Sequence, residues 1–527
     1  MNDKPRVRFA PSPTGQVHIG NIRAAIYNWL FARRHGGCFL LRIEDTDLER
    51  STPEAVQTLL DAMHWLGLDY DEAPLRQSRQ IDRHREVADK MLADGFASRE
   101  SGGPVILHLD GLLIDSSFVT EPRETVAIDV SKGELLLTPR GVDYITKGSD
   151  GREYHNPISR DAMPGLEVTL DGGSTLPGEK LFSSGCGTAT DALGVRALSL
   201  RFRRRYVFYE DLVLGRLEKP LDSIRDMVVL RSDGTPVFHL ANVVDDVTQG
   251  VTHILRGNDH VENTYRHLFI FRAMGIRPPR YGHFPMIVNA KGKPYSKRDG
   301  DAYVGDFRDK GYLPQCLVNF LALCGWGRED GVEVMTRREL VEHFDLARVS
   351  AAPARLNLEK LAWMNSQYLM RTSSQELLPL VMDELLREGV EAGSIDPEWL
   401  GKLIQLEQER AKTVRDFIFN TRHFFIEEVE LDSRAVDKVL RKNNGTGFTV
   451  LEGLRDAFHS QVEWKADSLE IAAMAWGGEC GLKIGDLVQP LRVAATGGMV
   501  SRGIWETLAL LGRERTLRRM DKALAER

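Results

Sequence analysis

The chain has 527 residues, 42% of them hydrophobic, a formal net charge of −7 and five cysteines. That length is too great for one ordinary domain and calls for roughly three to five. Its longest apolar runs, such as LVNFLALC (317–324), fall well short of the about 20 residues that span a bilayer, so no membrane partner is expected. The first residues are polar and charged and carry no secretory h-region. Cys38, Cys186, Cys316, Cys324 and Cys480 are scattered, odd in number and without a CxxC pair. They support neither a disulfide framework nor a cysteine-built structural zinc, and they point to a reducing, cytoplasmic compartment. Two basic clusters, RFRRRY (201–206) and RERTLRRMDKAL (513–524), suit a solvated face as well as they suit phosphate.

Residues 5–10 read as a short strand, with Val7 and Phe9 on one side and Arg6 and Arg8 on the other. The Pro/Gly loop APSPTGQVHIG follows. Asn21 is a plausible N-cap for a helix carrying Ile22, Ala25, Ile26, Trp29 and Leu30, and Gly36-Gly37 stops it before a second strand, CFLLRIED (38–45). Strand, helix and strand within about 40 residues make a βαβ unit with parallel strands. APSPTG and EDTD then open onto one crevice at the carboxyl ends of those strands. Helices are predicted over 51–68, from a capping box at Ser51 and Glu54, and over 80–95.

Residues 101–200 change character. They are rich in Gly, Asp, Ser and Thr and carry alternating runs such as PVILHLDGLLID and ETVAIDVSKGELLLT, which predicts a β-rich insertion. The α/β pattern resumes at DMVVLRSDGTPVFHLANVVDD (226–246), with a hairpin-type turn at SDGT. VTHILRGNDH (251–260) reads as a strand then a helix start, and YGHFPMIV (281–288) as a further strand ahead of a Gly- and Lys-rich loop, NAKGKPYSKRDGD (289–301). Beyond residue 311 strand signals fade. LIQLEQERAKTVRDFIF (403–419) and GIWETLALLGRERTLRRMDKAL (503–524) read as amphipathic helices.

Two loops could carry chemistry. His18, ahead of a helix N-terminus with Gly15 and Gly20 beside it, suits an anion held by free N–H groups. Ser296, Lys297 and Arg298 add a hydroxyl and two cations on a Gly-flanked loop. Neither is a GxxxxGK[ST] or GxGxxG fingerprint, and each alone is more often an ordinary loop.

Taken together, RFAPSPTGQVHIGN, RIEDTD, LRSDGTPVFHLANVVDD, HILRGNDH and YSKRDGD resemble glutamyl-tRNA synthetases of the bacterial type, which are class I aminoacyl-tRNA synthetases. HIGN matches the first class signature and PYSKR the lysine-bearing second. GYLPQCLVNFLALCGWG, RLNLEKLAWMNSQYL and QPLRVAATGGMVSRGIWETLALLGRERTL resemble the stem-contact and anticodon-binding segments. The resemblance covers residues 1–95 and 205–527. It implies an α/β, doubly wound (Rossmann-like) parallel-sheet catalytic domain in two halves, 1–97 and 206–310. A β-rich insertion (98–205) lies between them, and a stem-contact region (311–375) and an all-α anticodon-binding domain (376–527) follow.

The implied reaction is attack of the L-glutamate α-carboxylate on the α-phosphate of ATP, with Mg²⁺ on the phosphates, then transfer to the 3′ end of tRNA(Glu) by a monomeric enzyme. By motif match His18 and Lys297 are catalytic, and His18, Gly20, Asn21, Ser296, Lys297 and Arg298 bind ATP. Arg8, Ala10, Ser12, Glu44, Phe238, Asn242 and Arg256 line the amino-acid pocket, with Glu44 suited to the ammonium and the two arginines to the carboxylates.

The chain departs from the family pattern in places. Phe238 stands where tyrosine is common, and Pro294 and Tyr295 open the second signature. Nothing in 98–200 resembles the family's acceptor-end domain, which often carries zinc-binding cysteines. Cys186 reads as a small buried residue in a Gly-rich turn rather than a reactive thiol. The insertion is expected to meet the acceptor stem through Arg201, Arg203, Arg204 and Arg205. Three other readings stay open: a non-catalytic tRNA-binding paralogue, an enzyme that also charges tRNA(Gln), and a small-molecule nucleotidyltransferase.

Overall fold

The computed structural model describes residues 4–47, 50–112, 117–391 and 395–527. The chain divides into two compact units, Met1–Gly305 with Leu321–Leu356, and Asp306–Phe320 with Asn357–Arg527.

The first unit is built on a parallel sheet. Strand β1 (Arg6–Phe9) leads into helix α1 (Ile19–Arg34) and then β2 (Cys38–Ile43), and the strands pair in parallel from Arg6↔Cys38 to Phe9↔Leu41. Gly37 makes this approach possible, because a Cβ there would lie 2.1 Å from the Pro5 carbonyl oxygen. The apolar run Phe39–Leu41 and Ile43 is buried, as in a strand covered on both faces, and Ile19, Ile22, Ile26, Tyr27 and Leu30 of α1 cover one of them. After α2 (Pro53–Leu66), β3 (Leu75–Arg76) pairs in parallel with β2, and α3 (Ile81–Ala93) follows.

Beyond the insertion come β4 (Tyr206–Asp211), α4 (Phe238–Thr248), β5 (His253–Gly257), α5 (Val261–Ala273) and β6 (Arg280–Phe284). Strand β5 runs parallel to β6, and β6 parallel to β4. Thr252 joins the two groups of strands, its N–H donating to Arg6 O (2.9 Å) and its Oγ1 accepting from Arg6 N (2.8 Å). The order β3-β2-β1-β5-β6-β4 reverses direction between β1 and β5, where a doubly wound sheet opens its crevice.

Two helix starts differ from expectation. The N-cap of α1 is His18, not Asn21, so the helix begins three residues earlier. The cap of α2 is Thr52 rather than Ser51, because Pro53 takes the first helical position, where its missing N–H costs nothing.

The insertion is β-rich as expected. One antiparallel sheet orders Thr175–Pro177, Glu167–Leu170, Ala197–Arg204 and Glu124–Asp129; a second orders Gly187–Thr188, Glu134–Thr138, Gly141–Lys147 and Glu153–Ser159. Within PVILHLDGLLID the strand is only Val105–Leu107, and residues 113–116 lie outside the described residues. The four arginines do not act alike. Arg204 grips both oxygens of Asp222 (2.9 Å each) and Arg205 donates to Thr120 O (3.0 Å), so these two are spent on the fold. Arg201 and Arg203 alternate with buried Leu200 and Phe202 and are exposed, although Arg203 Nη2 donates to Pro122 O (2.9 Å) and Arg201 lies 3.6 Å from Glu167. Cys186 is exposed, against expectation: it lies in the turn between the helix Gly178–Ser183 and the two-residue strand Gly187–Thr188 at a sheet edge.

The second unit is helical. Residues 403–419 form two helices, Pro397–Glu407 and Val414–Thr421, not one, because Thr413 and Asp416 make a new capping box. Residues 503–524 likewise break into Ile504–Leu511 and Arg513–Leu524 at Gly512, whose φ is +80°. In the basic cluster that follows, Arg519 is buried and donates to the carbonyls of His423 (2.8 Å) and Ile426 (2.6 Å). None of the described helices is long and apolar enough to cross a membrane.

Candidate active site

At the carboxyl ends of β1 and β5 lies a cavity of about 460 Å³. Its wall includes Arg8, Ala10, Ser12, His18, Gly20, Asn21, Glu44, Phe238, Asn242 and Arg256. These are all of the amino-acid pocket residues and three of the nucleotide residues predicted from motifs. Ser296, Lys297 and Arg298 are not in the wall; their loop contributes Pro294 and Tyr295 instead.

One end of the cavity is a buried charge network. Arg8 donates from Nε to Asp246 Oδ1 (2.9 Å), which also takes Arg42 Nη1. Arg42 turns its other edge to Glu44 Oε1 (Nη2 3.1 Å, Nε 3.3 Å), and Asn242 Nδ2 donates to the same oxygen (2.8 Å). Glu44 Oε2 takes no hydrogen bond among the described residues. Burial raises the Glu44 carboxyl above its ordinary value, against the pull of Arg42 and Arg8. Burial also works to raise Asp246, but Arg42 and Arg8 hold it below the usual range. Sequence reasoning missed Arg42 and Asp246. The signal was an arginine inside the apolar run CFLLRI and an aspartate pair closing ANVVDD, charges in segments that must be buried.

Arg256 is buried too, yet no carboxylate lies within ion-pair distance of it among the described residues. Its Nε donates to His283 Nε2 (3.2 Å), and its Nη2 donates to Thr264 Oγ1 (2.8 Å) and His260 O (3.2 Å). Burial lowers it to about 10. A buried cation without a counter-ion, on a cavity wall, is a site prepared for an anion.

At the other end His18 caps α1, its Nδ1 accepting from Gly20 N (3.1 Å). A Cβ on Gly20 would come within 3.2 Å of that nitrogen, which accounts for the glycine. Burial lowers the His18 pKa, so the ring is neutral near pH 7 and Nε2 carries the proton. The expectation of free helix-end amides does not hold. Ile19 N donates to Ala302 O (2.9 Å), and Asn21 N and Ile22 N donate to His18 O (3.0 and 3.1 Å). The Ile19–Ala302 bond and Val304 N→Val17 O (2.9 Å) tie the chain leaving the lysine loop to the His18 loop.

The lysine loop is closed on itself. Asp299 Oδ2 accepts from Ser296 N and Oγ (3.0 Å each), and its Oδ1 from Asn289 Nδ2 (2.8 Å). The Ser296 hydroxyl is therefore engaged, whereas Lys297 is exposed and makes no hydrogen bond or ion pair among the described residues.

One trio outside the cavity, His108, Asp110 and Asp226, brings potential metal-ligand atoms within 4.8 Å. Those atoms already have partners: His108 Nδ1 bonds Asp226 (2.6 Å), its Nε2 bonds Ser98 Oγ (2.7 Å), and Asp110 accepts from Arg140 (3.0 Å).

Residues 4–102 and 193–363, half of the chain, match the family described as tRNA synthetases class I (E and Q), catalytic domain, and residues 375–524 match an anticodon binding domain. A glutamate–tRNA ligase of Nitrosomonas europaea is 38% identical over 523 residues, 98% of each chain. Another, of Thermodesulfovibrio yellowstonii, is 36% identical over 521 residues, 98% of this chain and 99% of the relative. The chain belongs to the glutamate–tRNA ligase family. A crystal structure of a glutamate tRNA ligase from Elizabethkingia meningosepticum, in complex with its amino acid, superposes on this member with a TM-score of 0.73 at 25% identity, covering 99% of both chains. The catalytic-domain match skips residues 103–192, which fall within the strand-rich insertion. Among the departures noted above, Phe238 puts a ring in the cavity wall beside His260 (centroids 6.3 Å apart), and Tyr295 is buried behind exposed Pro294.

Proposed function

We infer that the chain activates L-glutamate with ATP and esterifies tRNA(Glu) with it, as a cytoplasmic monomer. The glutamate α-carboxylate oxygen attacks the α-phosphorus, pyrophosphate leaves, and a 3′-terminal ribose hydroxyl then displaces AMP from the glutamyl carbonyl. The observation that carries this reading is Arg256, buried on the cavity wall without a carboxylate partner, in the same pocket as Glu44. Glutamate offers two carboxylates and one ammonium, and the pocket offers Arg8, Arg256 and the open Oε2 of Glu44. Glutamine would leave one cation unpaired, which is how such a pocket discriminates.

No side-chain nucleophile is needed, because the substrate supplies one. The protein's part is to fix the reactants and to place donors where negative charge grows on the phosphates. His18 Nε2 serves there as a neutral donor, and Lys297 serves once its loop turns onto the nucleotide. Mg²⁺, when bound, would supply neutralisation of the negative charge on the phosphates. Asp259, half exposed on the wall, would be the carboxylate to hold such an ion, since Glu44 is engaged with Arg42 and Asn242. Residues 1–97 and 206–310 act as the catalytic halves, 98–205 as the acceptor-stem insertion, and 311–375 and 376–527 as the stem-contact and anticodon regions.

The test is ATP–pyrophosphate exchange and aminoacylation with labelled glutamate, on separate tRNA(Glu) and tRNA(Gln) transcripts. Charging of tRNA(Glu) supports the reading. Binding of tRNA with no exchange would make the chain a non-catalytic paralogue, and charging of both would make it non-discriminating.

A further inference from the structure

Behind Arg256 lies a chain of hydrogen bonds in which chemistry dictates every direction. A guanidinium can only donate, so His283 Nε2, 3.2 Å from Arg256 Nε, must accept and carries no proton. The proton therefore sits on Nδ1, which donates to Asp211 Oδ2 (2.6 Å). Asp211 is itself locked at the end of β4: its Oδ1 accepts from the amides of Val213 (2.9 Å), Leu214 (2.9 Å) and His283 (3.1 Å). Both side chains of the pair are fully buried. Burial keeps His283 below its ordinary value and hence neutral. It would raise Asp211, but the His283 bond and the two loop amides hold that carboxyl low. Thr264 completes the seat, accepting from Arg256 Nη2 (2.8 Å) with its hydroxyl 3.2 Å from His283 Nε2. Only Arg256 Nη1 makes no hydrogen bond among the described residues, and the residue lines the cavity.

The geometry points to His283 as a positioning residue for substrate recognition. Its tautomer, fixed by Asp211, aims the free edge of Arg256 at the carboxylate of the bound amino acid. This rests on the glutamate reading above. Neither His283 nor Asp211 lines the cavity, so their effect on substrate passes through Arg256 alone.

The deciding variant is Asp211→Asn. The backbone amides require an oxygen, so the Asn carboxamide turns its NH₂ toward His283 Nδ1. That forces the imidazole proton onto Nε2, where it opposes the Arg256 Nε–H. ATP–pyrophosphate exchange with tRNA present should show KM for glutamate raised about 10–100-fold, the usual cost of a lost supporting partner, with KM for ATP within about twofold. KM does not depend on the fraction of enzyme folded, so partial instability does not blur the result. His283→Gln, which returns a carbonyl oxygen near the Nε2 position, should recover part of the loss, and His283→Asn should not. In an Arg256→Ala background Asp211→Asn should add nothing to KM for glutamate, because the two act as one unit. An unchanged KM for glutamate, equal rises in both KM values, or additive effects would overturn the assignment. Wild-type protein without glutamate-dependent exchange would instead remove the glutamate reading itself.

Discussion

Replacing Arg42 by methionine tests the buried network most directly. Arg42 has no exposed side-chain surface and bridges Asp246 and Glu44, themselves buried. Its removal leaves Asp246 with Arg8 alone and Glu44 with only the Asn242 amide. Breaking a buried pair by deleting one partner costs about 3–5 kcal/mol, a factor of about 10²–10⁴ in the folding equilibrium. With a urea m-value of about 3 kcal/mol/M for a unit of this size, the midpoint followed by circular dichroism should fall by about 1–1.7 M. The loss should shrink on acidification. Without Arg42 the Glu44 carboxyl rises further, so the folded state holds a proton that the unfolded chain releases, and stability declines as pH rises through that window. Function should move the other way. A protonated Glu44 cannot hold an ammonium, so KM for glutamate in Arg42→Met should climb as pH falls from 8 to 6, by up to about tenfold per unit. A midpoint shift below about 0.3 M, or a pH profile of KM parallel to wild type, would refute the idea that Arg42 holds Glu44 ionised.

Three further outcomes are expected. His18→Asn keeps an acceptor for Gly20 N and so preserves the helix cap, but it removes Nε2; it and Lys297→Ala should each lower kcat of exchange by about 10²–10³-fold, and near wild-type rates in both would remove the nucleotide assignment. Arg201→Glu with Arg203→Glu should raise KM for tRNA and flatten its dependence on log salt by about two units, leaving glutamate activation intact; an unchanged KM would displace the insertion from the acceptor stem. His253 is lowered to about 4 by burial, so between pH 6.5 and 4 the unfolded chain takes up a proton that the folded chain refuses, and stability falls with pH. His253→Phe, whose ring can keep the packing on Phe31 (5.3 Å), should flatten the acid side of a urea-midpoint profile, and an equal acid slope in both proteins would count against that source.

Patterns along the chain carried the sheet and the pocket lining. Alternation and apolar runs report which face of a strand is buried, and Gly and Pro report where it turns, so β1, α1, β2 and the strand-rich insertion were legible without coordinates. The same patterns overran two breaks in the second unit, because periodicity continues across Gly512 and Thr413 while the helix does not. Cys186 was misplaced for a related reason: composition favours burial of cysteine, but a sheet-edge turn offers nothing to bury it.

What the sequence by itself determined is a parallel sheet whose strand ends, with Arg8 and Glu44, open onto one crevice beside the His18 loop. Tertiary structure alone decided how those groups are held. Arg42 meets Asp246 across 204 positions, and Asp211 meets His283 across 72. It also decided that the helix-end amides of α1 are spent, that Asp299 holds the Ser296 hydroxyl, and that Arg256 stands buried on the cavity wall with no carboxylate partner among the described residues. The reason is that a charge in an apolar segment announces that it needs a partner, but only packing between distant segments selects which one it gets.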